Sequence, residues 1–181
     1  MPKADAVAGV VLAAGAGSRF GMPKVLADEG DWLARAVTAL DGGGCGDVIV
    51  VLGAAVVEVP EPARAVVAVR WADGMSASVR EGLNAVGDAE WIVLHTVDTP
   101  DVGADVVARV LSAARGTGSG LARARYQGRP GHPVVLARRH LAALAASLHG
   151  DQGARGFLGG RDDVVAVECG DLATGLDIDE R

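Results

Sequence analysis

The strongest constraint on the fold is an alternation. Short apolar, β-branched runs take turns with segments whose apolar residues recur at helical spacing. Residues 8–13, 47–52, 65–69, 91–97, 120–126, 133–137 and 163–167 read as strands. Between them Trp32/Ala36/Val37/Leu40, Met75/Val79/Leu83/Val86, Val106/Val107/Val110/Leu111 and Leu141/Leu144/Ala145/Leu148 each trace one helical face. Strands separated by helices are joined by crossovers rather than hairpins, which makes neighbouring strands parallel. The expectation is therefore an α/β protein, a single three-layer α/β/α domain over residues 1–181 with a Rossmann-like, mostly parallel sheet. Asp31 and Asp105 are expected to cap helix starts. The run Gly42-Gly43-Gly44-Cys45-Gly46 is expected to end a helix and feed the second strand.

Bulk numbers narrow the function. Seventeen basic against 23 acidic side chains give a net charge of −6, which argues against a surface built to grip nucleic acid but leaves room for a local anion site. No apolar run approaches the ~20 residues of a membrane span. Met1-Pro2-Lys3-Ala4-Asp5 leads directly into a strand-like run, without the regions of a signal peptide, so a cytoplasmic protein is expected. Cys45 and Cys169 are too few for a disulfide framework and have no metal-ligand spacing. Glycine stands out: 26 of 181 residues, without the Gly-X-Y period of collagen.

The first strand opens into Ala14-Gly15-Ala16-Gly17-Ser18-Arg19-Phe20-Gly21-Met22-Pro23-Lys24. A buried strand ending in a glycine-rich turn exposes backbone amides at the carboxyl edge of a sheet, where an anion can approach them. Arg19 and Lys24 add the cations a triphosphate needs. A Walker A loop does not fit, because Met22-Pro23 intervene between the last glycine and the lysine. A dinucleotide fingerprint would need its third glycine where Phe20 stands, and its helix would have to accommodate Pro23 at a cost of ~3 kcal/mol. An irregular anion-binding loop is the better reading.

Residues Leu12 to Lys24 resemble the signature Leu-Ala-Ala-Gly-x-Gly-x-Arg-Met-Gly-x-Pro-Lys of the MobA-like NTP transferases within the nucleotide-diphospho-sugar transferase (GT-A-like) superfamily, closest to the molybdenum cofactor cytidylyltransferases. Phe20 replaces the more usual Met. The resemblance implies that Leu12, Ala13, Ala14, Gly15, Gly17, Ser18, Arg19 and Lys24 bind the nucleotide, with Arg19 and Lys24 on its phosphates.

Four further segments extend the resemblance over about residues 8–179. Gly74-Met75-Ser76-Ala77-Ser78, read alone, is a helix start whose amides and hydroxyls cap the helix or meet an anion. The resemblance makes Gly74, Met75, Ser76 and Ser78 nucleotide ligands. Asp98, at the end of an apolar strand and before Thr99-Pro100, is a helix cap or a metal ligand at the active edge of a sheet. The family's Asp at this place holds the metal, implying Mg²⁺. Gly131-His132-Pro133 resembles a segment that borders the acceptor, with His132 in a binding or orienting role. Asp151 and Arg155 match residues near the acceptor, against a reading as a helix cap and a solvent-facing arginine. Leu176-Asp177-Ile178-Asp179 alternates, so an extended backbone would aim both carboxylates to one side and complete the metal site with Asp98; an acidic tail is the competing reading. The family continues there into a helix that this sequence does not carry.

The implied reaction is attack of an acceptor phosphate on the α-phosphorus of an NTP, with release of pyrophosphate. Positioning and charge neutralisation dominate such chemistry. Ala14 stands where guanylyl-transferring members tend to have glycine, which favours CTP. Molybdopterin is the leading acceptor, with a molybdenum hydroxylase as a further partner. Two alternatives remain. One is an NAD(P)-dependent oxidoreductase, as some relatives named for a nicotine-derived pigment suggest. The other is a non-catalytic accessory protein of a molybdenum enzyme.

Overall fold

The computed structural model describes residues 5–180. Residues 1–4 of the N-terminal stretch considered above, and Arg181, lie outside the described residues. The chain forms the strands β1 (Val7–Ala13), β2 (Asp47–Leu52), β3 (Arg64–Val67), β4 (Trp91–Thr96), β5 (Leu121–Tyr126), β6 (Arg129–Ala137) and β7 (Val165–Glu168). Its helices are α1 (Asp31–Gly42), α2 (Met75–Ala85), α3 (Ala104–Arg115), α4 (Leu141–Ser147) and the single turn α5 (Arg155–Leu158). All strands join one sheet in the order β3-β2-β1-β4-β6-β5-β7.

The sheet is mostly parallel: β1 pairs in parallel with both β2 and β4, β2 with β3, and β5 with β7. β6 alone runs against its neighbours β4 and β5. Every residue of β1 is buried, as a central strand covered on both faces requires. Alternate side chains feed two cores. Val11, Val50 and Val93 pack toward α1 and α3, while Val10, Val51 and Leu94 pack toward α2 and α4. The chain therefore has the expected layered α/β architecture, and none of the helices formed by the described residues is long and apolar enough to cross a membrane.

Local geometry corrects several details. β6 begins at Arg129, four residues before the expected position 133, because Gln127 (φ 50°) and Gly128 (φ 80°) close a two-residue hairpin between β5 and β6. β7 starts at Val165 rather than 163. Asp31 does not cap α1. The cap position is Gly30, with a left-handed φ of 88°, and the Asp31 carboxylate instead accepts from Arg35 Nε. Asp105 lies inside the first turn of α3, behind the cap residue Gly103, and its Oδ1 accepts from the Val106 amide at 2.9 Å.

The strand order places the site. The chain leaves β1 toward β2 on one side and leaves β4 toward β5 on the other, so the loops after β1 and β4 part at a crevice along the carboxyl edge.

Candidate active site

The loop after β1 is irregular from residue 14 to 23, as Pro23 demands, and Lys24 opens a stretch of 3-10 turns over Lys24–Gly30. Gly17 adopts a φ of 64°, and a Cβ there would lie 1.8 Å from the Met22 carbonyl oxygen. The Gly21 amide closes the loop by donating to the Gly17 carbonyl at 2.8 Å. Phe20 anchors it, buried with its ring 5.2 Å from that of Trp32. Ser18 and Arg19 are left exposed on the outside of the turn. Leu12, Ala13, Gly15, Gly17, Lys24 and Asp98 are among the residues that line a cavity of about 200 Å³.

Lys24 is the electrostatic centre of this cavity. Its Nζ donates to Asp98 Oδ2 at 3.1 Å and to Asp179 Oδ1 at 2.8 Å. Burial disfavours the ammonium, but the two carboxylates outweigh it and raise the lysine pKa. The same bond holds Asp179 below the usual carboxylate range. Asp177 is pushed the other way, by burial first and then by the charges of Asp98 and Asp179. The Ile178 amide donates to the Asp98 carbonyl at 3.0 Å, and Thr174 donates its amide to Asp101 Oδ2 at 2.7 Å, so this acidic segment is tied to the sheet edge.

The three acids expected to form a metal site thus share one electrostatic neighbourhood, but not as a ready set of ligands. Lys24 bridges Asp98 and Asp179, and no group of three His, Cys, Asp or Glu side chains among the described residues is arranged to hold a metal. One observation does fit a cation: Asp98 Oδ1 is buried without a hydrogen-bond partner. An anionic oxygen in that position is costly unless something positive reaches it.

A second cavity, about 380 Å³, opens beside the first and is lined by Ala14, Gly15, Trp71, Gly74, Ser78 and Asp151 among others. Gly74 (φ 116°) is required here, because a Cβ would lie 2.5 Å from the Gly150 carbonyl oxygen and 2.6 Å from Asp151 Oδ1. The Ser76 amide donates to that carbonyl at 3.1 Å, which joins the segments 74–78 and 150–153 into one wall. Ser76 and Ser78 are both buried. Asp151 caps no helix, since the cap residue of α5 is Ala154.

A third cavity, about 510 Å³, extends toward β5 and β6 and shares Leu12, Met75 and Thr96 with the first. Gly131, His132, Asp151, Arg155 and Asp177 contribute to its wall, together with Arg123 and Arg129. Pro133 is buried next to it in β6. The His132 carbonyl accepts from the Tyr126 hydroxyl at 2.5 Å. Burial lowers the His132 pKa to about 4 against the opposing pull of Asp98, so its imidazole is neutral near pH 7.

Comparison with known proteins decides the family. The sequence profile of the MobA-like NTP transferase domain matches residues 9–165. The chain belongs to the MobA-like NTP transferase family. It is 37% identical over 187 residues to nicotine blue oxidoreductase of Paenarthrobacter nicotinovorans, covering 96% of this chain and 92% of that protein. The crystal structure of Rv0371c from Mycobacterium tuberculosis superposes with a TM-score of 0.79 at 30% identity, covering 98% of this chain and 95% of the other. A manganese complex of Rv0371c matches at a TM-score of 0.71 and 26% identity, covering 96% and 94% of the two chains. A nucleotidyl transferase from Methanothermobacter shares the fold, with a TM-score of 0.77 at 24% identity over 97% and 92%.

In this MobA-like NTP transferase most of the motif residues named from the sequence meet at the one crevice. Ser18 and Arg19 stand outside the cavity walls, although the charge of Arg19 is felt at Asp179. Sequence reasoning missed Trp71, Arg123 and Arg129. Arg123 carried a legible signal: Leu121-Ala-Arg-Ala-Arg-Tyr126 puts two arginines within an apolar strand, where a charge needs a reason. Cys45 and Cys169 are buried free thiols away from the crevice, and burial pushes Cys45 up to about 12, which makes it unreactive.

Proposed function

We propose that this MobA-like NTP transferase moves a nucleoside monophosphate, CMP from CTP, onto a phosphorylated acceptor of the molybdopterin class and releases pyrophosphate. The observation that carries the reading is the Lys24 ammonium held between Asp98 and Asp179 at the mouth of a glycine loop. In this reading the amides around Gly15 and Gly17, with Ser18, Arg19 and Lys24, hold the triphosphate. Gly74, Met75, Ser76 and Ser78, with Ala14, form the nucleoside side. Gly131, His132, Pro133, Asp151 and Arg155 border the acceptor.

An acceptor phosphate is already an anion near pH 7, so no residue has to remove a proton from it. The chain's contribution is positioning and neutralisation. Lys24 and Arg19 offset charge on the phosphates, and the rigid loop fixes the line of attack. Asp98 and Asp177 would hold Mg²⁺ by hard oxygen donors, with Asp179 released from Lys24 as a third. When bound, the metal would neutralise phosphate oxygens and favour the leaving pyrophosphate. Neutral His132 orients the acceptor by hydrogen bonding.

A second reading, hydride transfer with NAD(P)H, is favoured by the name of the 37% identical relative. The loop weighs against it, because Phe20 is buried where a dinucleotide fingerprint has its third glycine. Pyrophosphate release with each NTP, Mg²⁺ and molybdopterin, against a control without acceptor, tests the first reading. Acceptor-dependent release is expected with CTP. Nicotinamide oxidation at 340 nm without pyrophosphate release would replace it with the second.

A further inference from the structure

The third cavity is lined by three arginines, Arg123, Arg129 and Arg155, against two carboxylates, Asp151 and Asp177. Arg123 lies on β5 opposite Val134 of β6, and its only side-chain hydrogen bond among the described residues is from one terminal nitrogen to the Gly131 carbonyl at 3.3 Å. Its Nε is buried without a partner. Arg155, on the rim, raises the cost further by like charge. Neither arginine belongs to any ion pair among the described residues. Arg125, two positions along β5, also buries an Nε without a hydrogen-bond partner, but it is ion-paired with Glu168 at 3.4 Å, which Arg123 is not with any carboxylate among the described residues.

The two carboxylates of the cavity wall, Asp151 and Asp177, form no ion pair with Arg123 or Arg155 among the described residues. Asp177 feels the positive charges of Lys24 and Arg129. A half-buried guanidinium whose Nε–H has no partner, sharing a cavity wall with the exposed guanidinium of Arg155, presents donors in the forked geometry that matches a phosphate or carboxylate.

From this we infer that Arg123 and Arg155 form an anion subsite in the third cavity and select acceptors that carry a phosphate or carboxylate group there. The inference rests on the proposed transferase reading for the word acceptor, but the anion subsite itself does not need catalysis. Both sources of the anion share one chemistry, and they are separable by titration.

The test follows the guanidinium Nε–H of Arg123 by nitrogen-15 NMR in the full chain, assigned through Arg123→Gln, while inorganic phosphate and, separately, acetate are added. A saturable shift at Arg123 is expected, with phosphate the tighter ligand. Arg155→Gln, a rim substitution that leaves β5 intact, is expected to weaken the titration about tenfold, as loss of one charge-assisted hydrogen bond does. Arg19→Gln, on the glycine loop, is expected to leave it unchanged. No shift with either anion overturns the inference. So does a titration that Arg155→Gln leaves unaltered, or one that Arg19→Gln abolishes, because the anion would then sit in the glycine loop. Failure of the transferase reading looks different: no NTP would yield pyrophosphate, while the Arg123 titration would persist.

Discussion

The two ends of the crevice solve the problem of charge in opposite ways. At the glycine loop, Lys24 is already neutralised by Asp98 and Asp179, so on the proposed reading a triphosphate would have to exchange places with carboxylates. At the β5–β6 end, Arg123 and Arg155 have no ion-pair partner among the described residues, so on the inference above an anion would complete the site instead of competing for it. The contrast suits a first end that, on the proposed reading, takes a cation and an anion together. Displacing Lys24 from Asp98 leaves two acids that need a replacement positive charge.

The largest effect should come from the hinge of that exchange. For Asp98→Ala we expect pyrophosphate release to fall about 10³-fold while thermal unfolding changes little, measured by a coupled pyrophosphate assay and circular dichroism. Retained activity would erase the distinction between the two ends. Lys24→Gln is expected to lower turnover about 10²-fold, yet to tighten Mn²⁺ binding by calorimetry, because the carboxylates lose their internal cation. If metal affinity falls instead, Lys24 is not the competitor.

A smaller effect reports on the histidines behind the acceptor end. His95 is fully buried, both its ring nitrogens lack partners, and burial together with His132 lowers its pKa to about 3. A histidine kept neutral when folded but protonated when unfolded contributes stability above its unfolded pKa of ~6.5, lost progressively as pH falls toward the folded value. Urea unfolding should therefore show stability decreasing from pH 6.5 to 4, by at most ~1.4 kcal/mol per pH unit for each such histidine. His95→Leu should flatten this slope. An unchanged slope would mean that His95 is protonated in the fold. The smallest change belongs to Ala14→Gly, which widens the second cavity; we expect the preference for CTP over GTP to shrink less than tenfold in competition assays.

How far the sequence foretold this depends on which force fixes each part. The apolar runs at 47–52 and 91–97 were legible nearly to the residue, since burial on both faces leaves few alternatives. Arg129 to His132 were not legible as strand, because glycine, proline and charge conceal a pairing that depends on the Gln127-Gly128 turn and on β5 opposite. Within the site, Lys24, Asp98 and Gly17 could be named from one loop and one strand end. The bond from Lys24 to Asp179 could not, because it joins residues 155 positions apart, and neither local spacing nor periodicity carries that information. Arg123 needed both the face of β5 on which it lies and the lack of an acid across from it.

Gly17 shows what kind of surface a nucleotide would meet on the proposed reading. Its left-handed backbone leaves no room for a methyl group beside Met22, and the Gly21 amide locks the turn from the other side. A loop held this way is shaped when the protein folds, not when the ligand arrives. It has the character of a mould and not of a lid: its ordering entropy is spent once, during folding, and a nucleotide bound as proposed would find the amides already aimed.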